Sequence, residues 1–150
     1  MEPLSKADQQ LLDAAYDAGR RHCCPPNHTV ATAARTADGS ILTAVNVAHY
    51  SGGPCAEIVI IGIAASQDIH HLDAIATVGT NSHPGLRPPC GWCRQILYDY
   101  FPDLTVITGT DQEPRALPIA ALLPGMSEWL DHHTAGTPSR TSNRPLRSPS

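Results

Sequence analysis

Cys55, Cys90 and Cys93 offer three thiolates, and Glu57 lies two residues past the first of them. They sit in Gly52-Gly53-Pro54-Cys55-Ala56-Glu57 and in Pro89-Cys90-Gly91-Trp92-Cys93-Arg94-Gln95. Zinc binds thiolates well, and a catalytic zinc keeps three protein ligands and one open position for water. Three thiolates crowd negative charge around the metal and weaken its acidifying effect, so such a site needs compensation. Helix N-termini supply part of it, because their free N–H groups and dipole favour anions. Arg94 is a second source, placed to donate hydrogen bonds to the ligand sulfurs. Glu57 is near the metal without being needed as a ligand. That is the place for a proton shuttle between water, a substrate ring nitrogen and departing ammonia.

A structural zinc site is the plainer reading of three cysteines. Closed structural sites have four ligands, often as two C-x-x-C-like pairs. Here one C-x-x-C occurs, and a fourth ligand would have to be Cys23 or Cys24. A redox C-x-x-C leaves Cys55 and Glu57 unexplained.

The elements that must position these residues follow from pattern. Ser5 caps a helix, with Asp8 three residues on as a capping-box variant. Leu4, Leu11, Ala15 and Ala18 recur at helical spacing, which predicts a helix over about 5–20. Cys23-Cys24-Pro25-Pro26-Asn27 breaks it. The adjacent cysteines are read as thiols, since neighbours in sequence rarely make a relaxed disulfide. Thr29 to Thr36 and Ile41 to Val47 read as strands joined at Asp38-Gly39, a hairpin signal. Their ends deliver Asn46 and His49 to the Gly52-Gly53 loop.

The run from Ile58 to Ala65 is rich in β-branched residues, which suit a strand, and its period decides nothing. Pro54 suits a helix start, so a helix from Pro54 or Cys55 is expected, buried all round. Leu72 to Val78 reads as a strand and Thr80 to Pro88 as a loop. Pro89 opens a helix that ends near Tyr100, with Cys90 and Cys93 on one face. Leu104 to Thr108 and Arg115 to Leu117 are further strands, and Ile119 to Leu123 a short helix. Strands alternating with helices imply a layered α/β sheet with crossovers.

The 150 residues suit one domain over 1–133 followed by a tail over 134–150. That tail, rich in Ser, Thr, Pro and Arg, is expected to be disordered. Five cysteines and no export signal suggest a reducing compartment, the cytoplasm, and no apolar stretch reaches a membrane span of ~20 residues. The formal net charge is −4; without Arg140, Arg144 and Arg147 of the tail, residues 1–133 carry −7. An acidic body is a poor partner for a phosphate backbone, which disfavours DNA or RNA and favours a small nucleoside-like substrate.

Asn46-Val47-Ala48-His49-Tyr50-Ser51-Gly52-Gly53-Pro54-Cys55-Ala56-Glu57, with Pro89-Cys90-Gly91-Trp92-Cys93-Arg94-Gln95, resembles the cytidine deaminase superfamily. Its zinc signature is H-x-E and P-C-x-x-C, with Cys allowed for the His, and Cys55 stands at that position. Within the superfamily the likeness is greatest to the blasticidin-S deaminases, which also share Leu122-Leu123-Pro124. The likeness spans roughly Leu4 to Trp129.

The resemblance implies a three-layer α/β/α sandwich with a five-stranded mixed sheet, and a homotetramer with sites at subunit contacts. It implies Zn2+ on Cys55, Cys90 and Cys93, with Glu57 shuttling protons as a cytosine C4-amino group becomes a carbonyl. Substrate contacts are expected at Asn46, Thr29, Ala56 and Trp129. For Trp129, closing the pocket and plain packing both stand open. His28 and Tyr50 are further candidates, and Trp92 is expected at the surface or an interface. Ordinary cytidine deaminases follow the asparagine with Val-Glu-Asn, whose glutamate holds the ribose; here Ala48 and His49 stand instead. A site built around such a hydrogen bond loses strongly without it. A nucleoside-antibiotic deaminase is therefore the first expectation. A salvage cytidine deaminase with an altered ribose clamp is the second, and a zinc-stabilised binder without turnover the third.

Overall fold

A computed structural model describes residues 2–81 and 83–127. Trp129, the 133/134 boundary and the tail lie outside them. Helix α1 (Lys6–His22) starts as its sequence dictates: the Ser5 hydroxyl accepts from the Asp8 N–H at 3.1 Å and donates to the Asp8 carboxylate at 2.8 Å. Such a cap stabilises a helix by about 1 kcal/mol. Asp8 also pairs with Arg35 of the first strand at 3.0 Å.

Strands β1 (Val30–Thr36) and β2 (Ile41–Val45) form the expected hairpin. Helix α2 (Ala56–Ser66) leads to β3 (Leu72–Gly79). The loop that follows contains a two-residue strand, β4 (Gly85–Leu86), too short to read from sequence. Helix α3 (Gly91–Tyr100), β5 (Thr105–Gly109), β6 (Pro114–Pro118) and a 3-10 turn (Ile119–Leu122) complete the chain.

The sheet runs β2-β1-β3-β5-β6, with β4 on β3. Only β3 and β5 pair in parallel, so the sheet is mixed. β4 pairs with Val78 and Gly79, beyond Ala74 to Ala76 where β3 pairs with β5.

Alternation along the strands makes two cores. Ala31, Ala33, Ala74, Ala76 and Val78 face Leu11, Leu12, Ala15 and Ala18 of α1. Ala34, Ile75 and Val106 face Ile60 and Ala64 of α2 and Leu97 of α3. Each large buried side chain contributes about 1.5–3 kcal/mol. The result is a three-layer sandwich with α2 and α3 together on one face. α2 departs from the expectation of burial all round. Ile60 and Ala64 are buried, but Ile58, Val59, Ile61 and Ile63 are half-buried and Gly62 and Ala65 are exposed. One isolated chain has too few elements to surround this helix. No helix among the described residues is long and apolar enough to cross a membrane.

Candidate metal and active site

Cys55 and Cys90 occupy equivalent places, each the N-cap of its helix with extended backbone. The Cys90 sulfur accepts from the Cys93 N–H at 3.5 Å, as a capping side chain does. Cys93 then lies one turn into α3, fully buried. The two helix starts bring the three sulfurs within 4.8 Å of one another. Two Zn–S bonds of about 2.3 Å span up to about 4.6 Å, so the set closes on one zinc with little movement. Cys23 and Cys24 are not part of this cluster.

The electrostatics agree with a cation site. Burial, then the Glu57 charge, pushes the Cys93 thiol far above its ordinary range. Burial also raises Cys55, reinforced by the charges of Cys90 and Glu57. Crowded sulfurs ionise together only when a cation offsets them, which is how metal binding couples to deprotonation.

Glu57, in the first turn of α2, is 4% exposed. Burial raises its carboxyl above the usual range; its own backbone N–H, Thr77, the Arg87 guanidinium and Cys93 oppose the rise. It faces a cleft of about 340 Å³ that also holds Cys55, Cys90, Asn46, Ala56 and Thr77. That volume is of small-ligand size. Ala56, the first residue of α2, carries an N–H of the kind that helix starts leave free.

The wall opposite is built around Asn46. Its side-chain oxygen accepts from the N–H groups of Thr29 at 2.7 Å and Val30 at 3.0 Å, so its amide nitrogen is set 3.4 Å from the Thr29 hydroxyl. His28 supports the same residue, its Nδ1 lying 2.7 Å from the Asn46 carbonyl. Thr29 thus backs Asn46 and is not among the residues lining the cleft. The loop after Asn46 closes where the Val47 N–H donates to the Pro54 carbonyl at 3.1 Å. Gly53 is obligatory there: a Cβ would lie 1.6 Å from the Val47 oxygen. Tyr50 is 98% exposed and does not line the cleft, and Trp92 is at the surface.

Arg94 donates through Nε to the Pro89 carbonyl at 2.8 Å and through a terminal nitrogen to the Leu122 carbonyl at 3.1 Å. Both of these bonds end on carbonyl oxygens, tying the start of α3 to the 3-10 turn. Val30, Thr77 and Arg87 line the cleft without having been expected as contacts. Thr77 carried a signal, as a polar residue inside an apolar strand.

No family model matches the chain. A blasticidin-S deaminase of Bacillus cereus is 33% identical over 115 residues, which cover 69% of this chain and 80% of that protein. A cytidine deaminase of Halalkalibacterium halodurans is 34% identical over 122 residues, covering 78% and 91%. Among solved structures, the cytidine deaminase from Burkholderia pseudomallei superposes with a TM-score of 0.66 at 30% identity, covering 81% of this chain and 98% of that one. These likenesses span the elements that carry the three sulfurs and Glu57, and the chain belongs to the cytidine deaminase superfamily.

Proposed function

We propose that this chain is a zinc-dependent aminohydrolase that converts the C4-amino group of a cytosine nucleoside or cytosine nucleoside antibiotic to a carbonyl, releasing ammonia. One observation carries the reading: a buried carboxylate, Glu57, shares a ligand-sized cleft with Cys55 and Cys90, two of three converging sulfurs.

Cys55, Cys90 and Cys93 would hold the zinc, whose Lewis acidity makes water nucleophilic near neutral pH. Glu57 would take a proton from water and give it to the ring nitrogen, then take the remaining proton of the added hydroxyl and give it to the departing amine. Water and the aminated ring are consumed; the oxo product and ammonia leave. The Asn46 amide, fixed by Thr29 and Val30, offers its N–H to a sugar hydroxyl, and the Ala56 N–H offers a donor to the ring oxygen. Trp129 is kept as a proposed substrate contact.

The two curated relatives are almost equally similar, so they leave the substrate open between their named classes. Ala48 lines the cleft where a ribose-binding carboxylate would stand, which favours a substrate other than plain cytidine. The −7 charge of residues 1–133 supports a small substrate over a polynucleotide. We also assign the chain to the cytoplasm and to a homotetramer. The second assignment is supported by the outward groove of Ile58, Ile61, Gly62, Ala65, Ile96 and Tyr100.

The test is loss of the cytosine ultraviolet band on zinc-loaded protein, with cytidine and blasticidin S side by side. Glu57→Ala is expected to lower turnover by about 10²–10⁴-fold with zinc retained. Faster blasticidin S turnover would make this an antibiotic-resistance deaminase, and faster cytidine turnover a salvage enzyme. Ligand binding without any Glu57-dependent turnover would replace both with a sequestering protein.

A further inference from the structure

Arg87 is a cleft residue with a built position and no assigned task. The sheet register explains where it lies. Asn46 follows the end of β2, opposite Val30, which pairs with Gly79 at the end of β3. Beyond Gly79 comes β4, and Arg87 follows it, its N–H donating to the Thr77 carbonyl at 2.8 Å. Asn46, Val30, Gly79 and Gly85 therefore form one row across the end of the sheet, and Arg87 follows two residues on, opposite Thr77.

Gly79 keeps its place in that row bare. A Cβ there would lie 2.3 Å from the His83 carbonyl oxygen, and then 2.8 Å from the Arg87 Cδ and 3.3 Å from its Nη1. The arginine side chain is laid across this glycine, with Pro88 and Pro89 behind it restricting the backbone. Among the described residues its guanidinium makes no salt bridge and no side-chain hydrogen bond. It lies close enough to Glu57 for the two charges to interact, but the proposed reaction needs that carboxylate for proton transfer.

The charge balance of the cleft gives the arginine a use. Three thiolates and Glu57 outweigh the two positive charges of a bound zinc, so the site would still repel an anionic ligand. A guanidinium that is always charged, and that presents a planar fork to carboxylates and phosphates, removes that barrier at one wall. The remaining wall, with Asn46, Ala48 and His49, carries no lysine or arginine.

We infer that Arg87 is a specificity-determining residue that selects a cytosine nucleoside bearing an anionic group on its sugar. This rests on the deaminase reading of the site and names the substrate class within it. The anion bridges the Arg87 guanidinium while the cytosine ring faces Glu57 and the sulfurs. Carboxylate and phosphate share the required chemistry.

The experiment compares the zinc-loaded wild type with Arg87→Gln and Arg87→Lys. Substrates are cytidine, cytidine carrying a 5′-carboxylate, and cytidine 5′-monophosphate. Calorimetric binding of the matching uridine products runs in parallel. In the wild type an anionic substrate has a lower KM than cytidine. Arg87→Gln raises that KM by about 10–100-fold more than it raises the KM for cytidine, while Arg87→Lys recovers part of the difference. The arm with the larger Arg87 effect identifies carboxylate or phosphate as the group read. Equal losses on cytidine and the anions, or no preference for anions in the wild type, overturn the inference. Arg87-dependent binding of the anionic products without turnover sinks the deaminase reading and leaves the anion site standing. Melting curves of each variant separate misfolding from lost recognition.

Discussion

Asn46 shows how one side chain can hold a wall and still face a ligand. Its oxygen is spent on two backbone N–H groups, which leaves the amide nitrogen as its means of contact. Two substitutions separate these roles. Asn46→Asp keeps the acceptor and loses the donor, so it should melt near the wild type yet raise KM. Asn46→Ala strands both N–H groups. Unsatisfied donors cost about 1–3 kcal/mol each when buried, so its melting temperature falls as well. Equal melting of the two variants would show that water replaces the oxygen. The convergence of the three cysteines beside Glu57 was legible from spacing, because Cys55 and Cys90 fall at helix starts and Glu57 and Cys93 within the first turns that follow. Arg87 lay inside the stretch from Thr80 to Pro88, which the sequence shows only as a loop. Its place depends on a two-residue strand and on Gly79, and no local pattern encodes a pairing between segments.

At the scale of elements, two helix starts do most of the positioning. α2 was the hardest to read. Its isoleucines suit a strand, and the helix is decided by Cys55 at its cap and by packing of Ile60 and Ala64 on the sheet. Half of its apolar surface looks outward, which no single-chain pattern announces. α3 was simpler, since Pro89 precedes its cap and Phe101 and Pro102 end it. Arg94 secures its first turn against the far end of the described chain. Removing both hydrogen bonds in Arg94→Gln should cost about 1.5–3 kcal/mol, read as a lower urea midpoint. Zinc content measured on the same preparation tells whether the guanidinium also serves the sulfurs. Unchanged stability would mean that Pro89 and Leu122 hold their places unaided.

At the scale of the molecule, Asp111 joins distant parts. It accepts from the Tyr16 hydroxyl on α1 and from the Leu86 N–H on β4 at 2.7 Å, just before Arg87. The Tyr16 bond holds the Asp111 carboxyl below its ordinary range, and burial followed by Asp111 pushes Tyr16 up to about 12. The Asp111 contribution is present above the unfolded carboxylate pKa and is lost as pH falls through the lower folded value. The Tyr16 contribution is complete below about 10 and is lost as pH rises through about 12. Asp111→Asn should flatten both flanks of the stability–pH curve, measured by urea melts. Because the residue is exposed, the change is modest. Sedimentation equilibrium tests the homotetramer; a monomer at all concentrations would refute it. The geometry of any such assembly is already limited by β6. As an edge strand it begins with Pro114 and ends with Pro118, with the exposed Arg115 between. Proline has no N–H to lend, and charge on an edge discourages pairing. Among the described residues that border therefore discourages a neighbouring ribbon, which favours helix-to-helix contact between copies and works against a fibre-like continuation from β6.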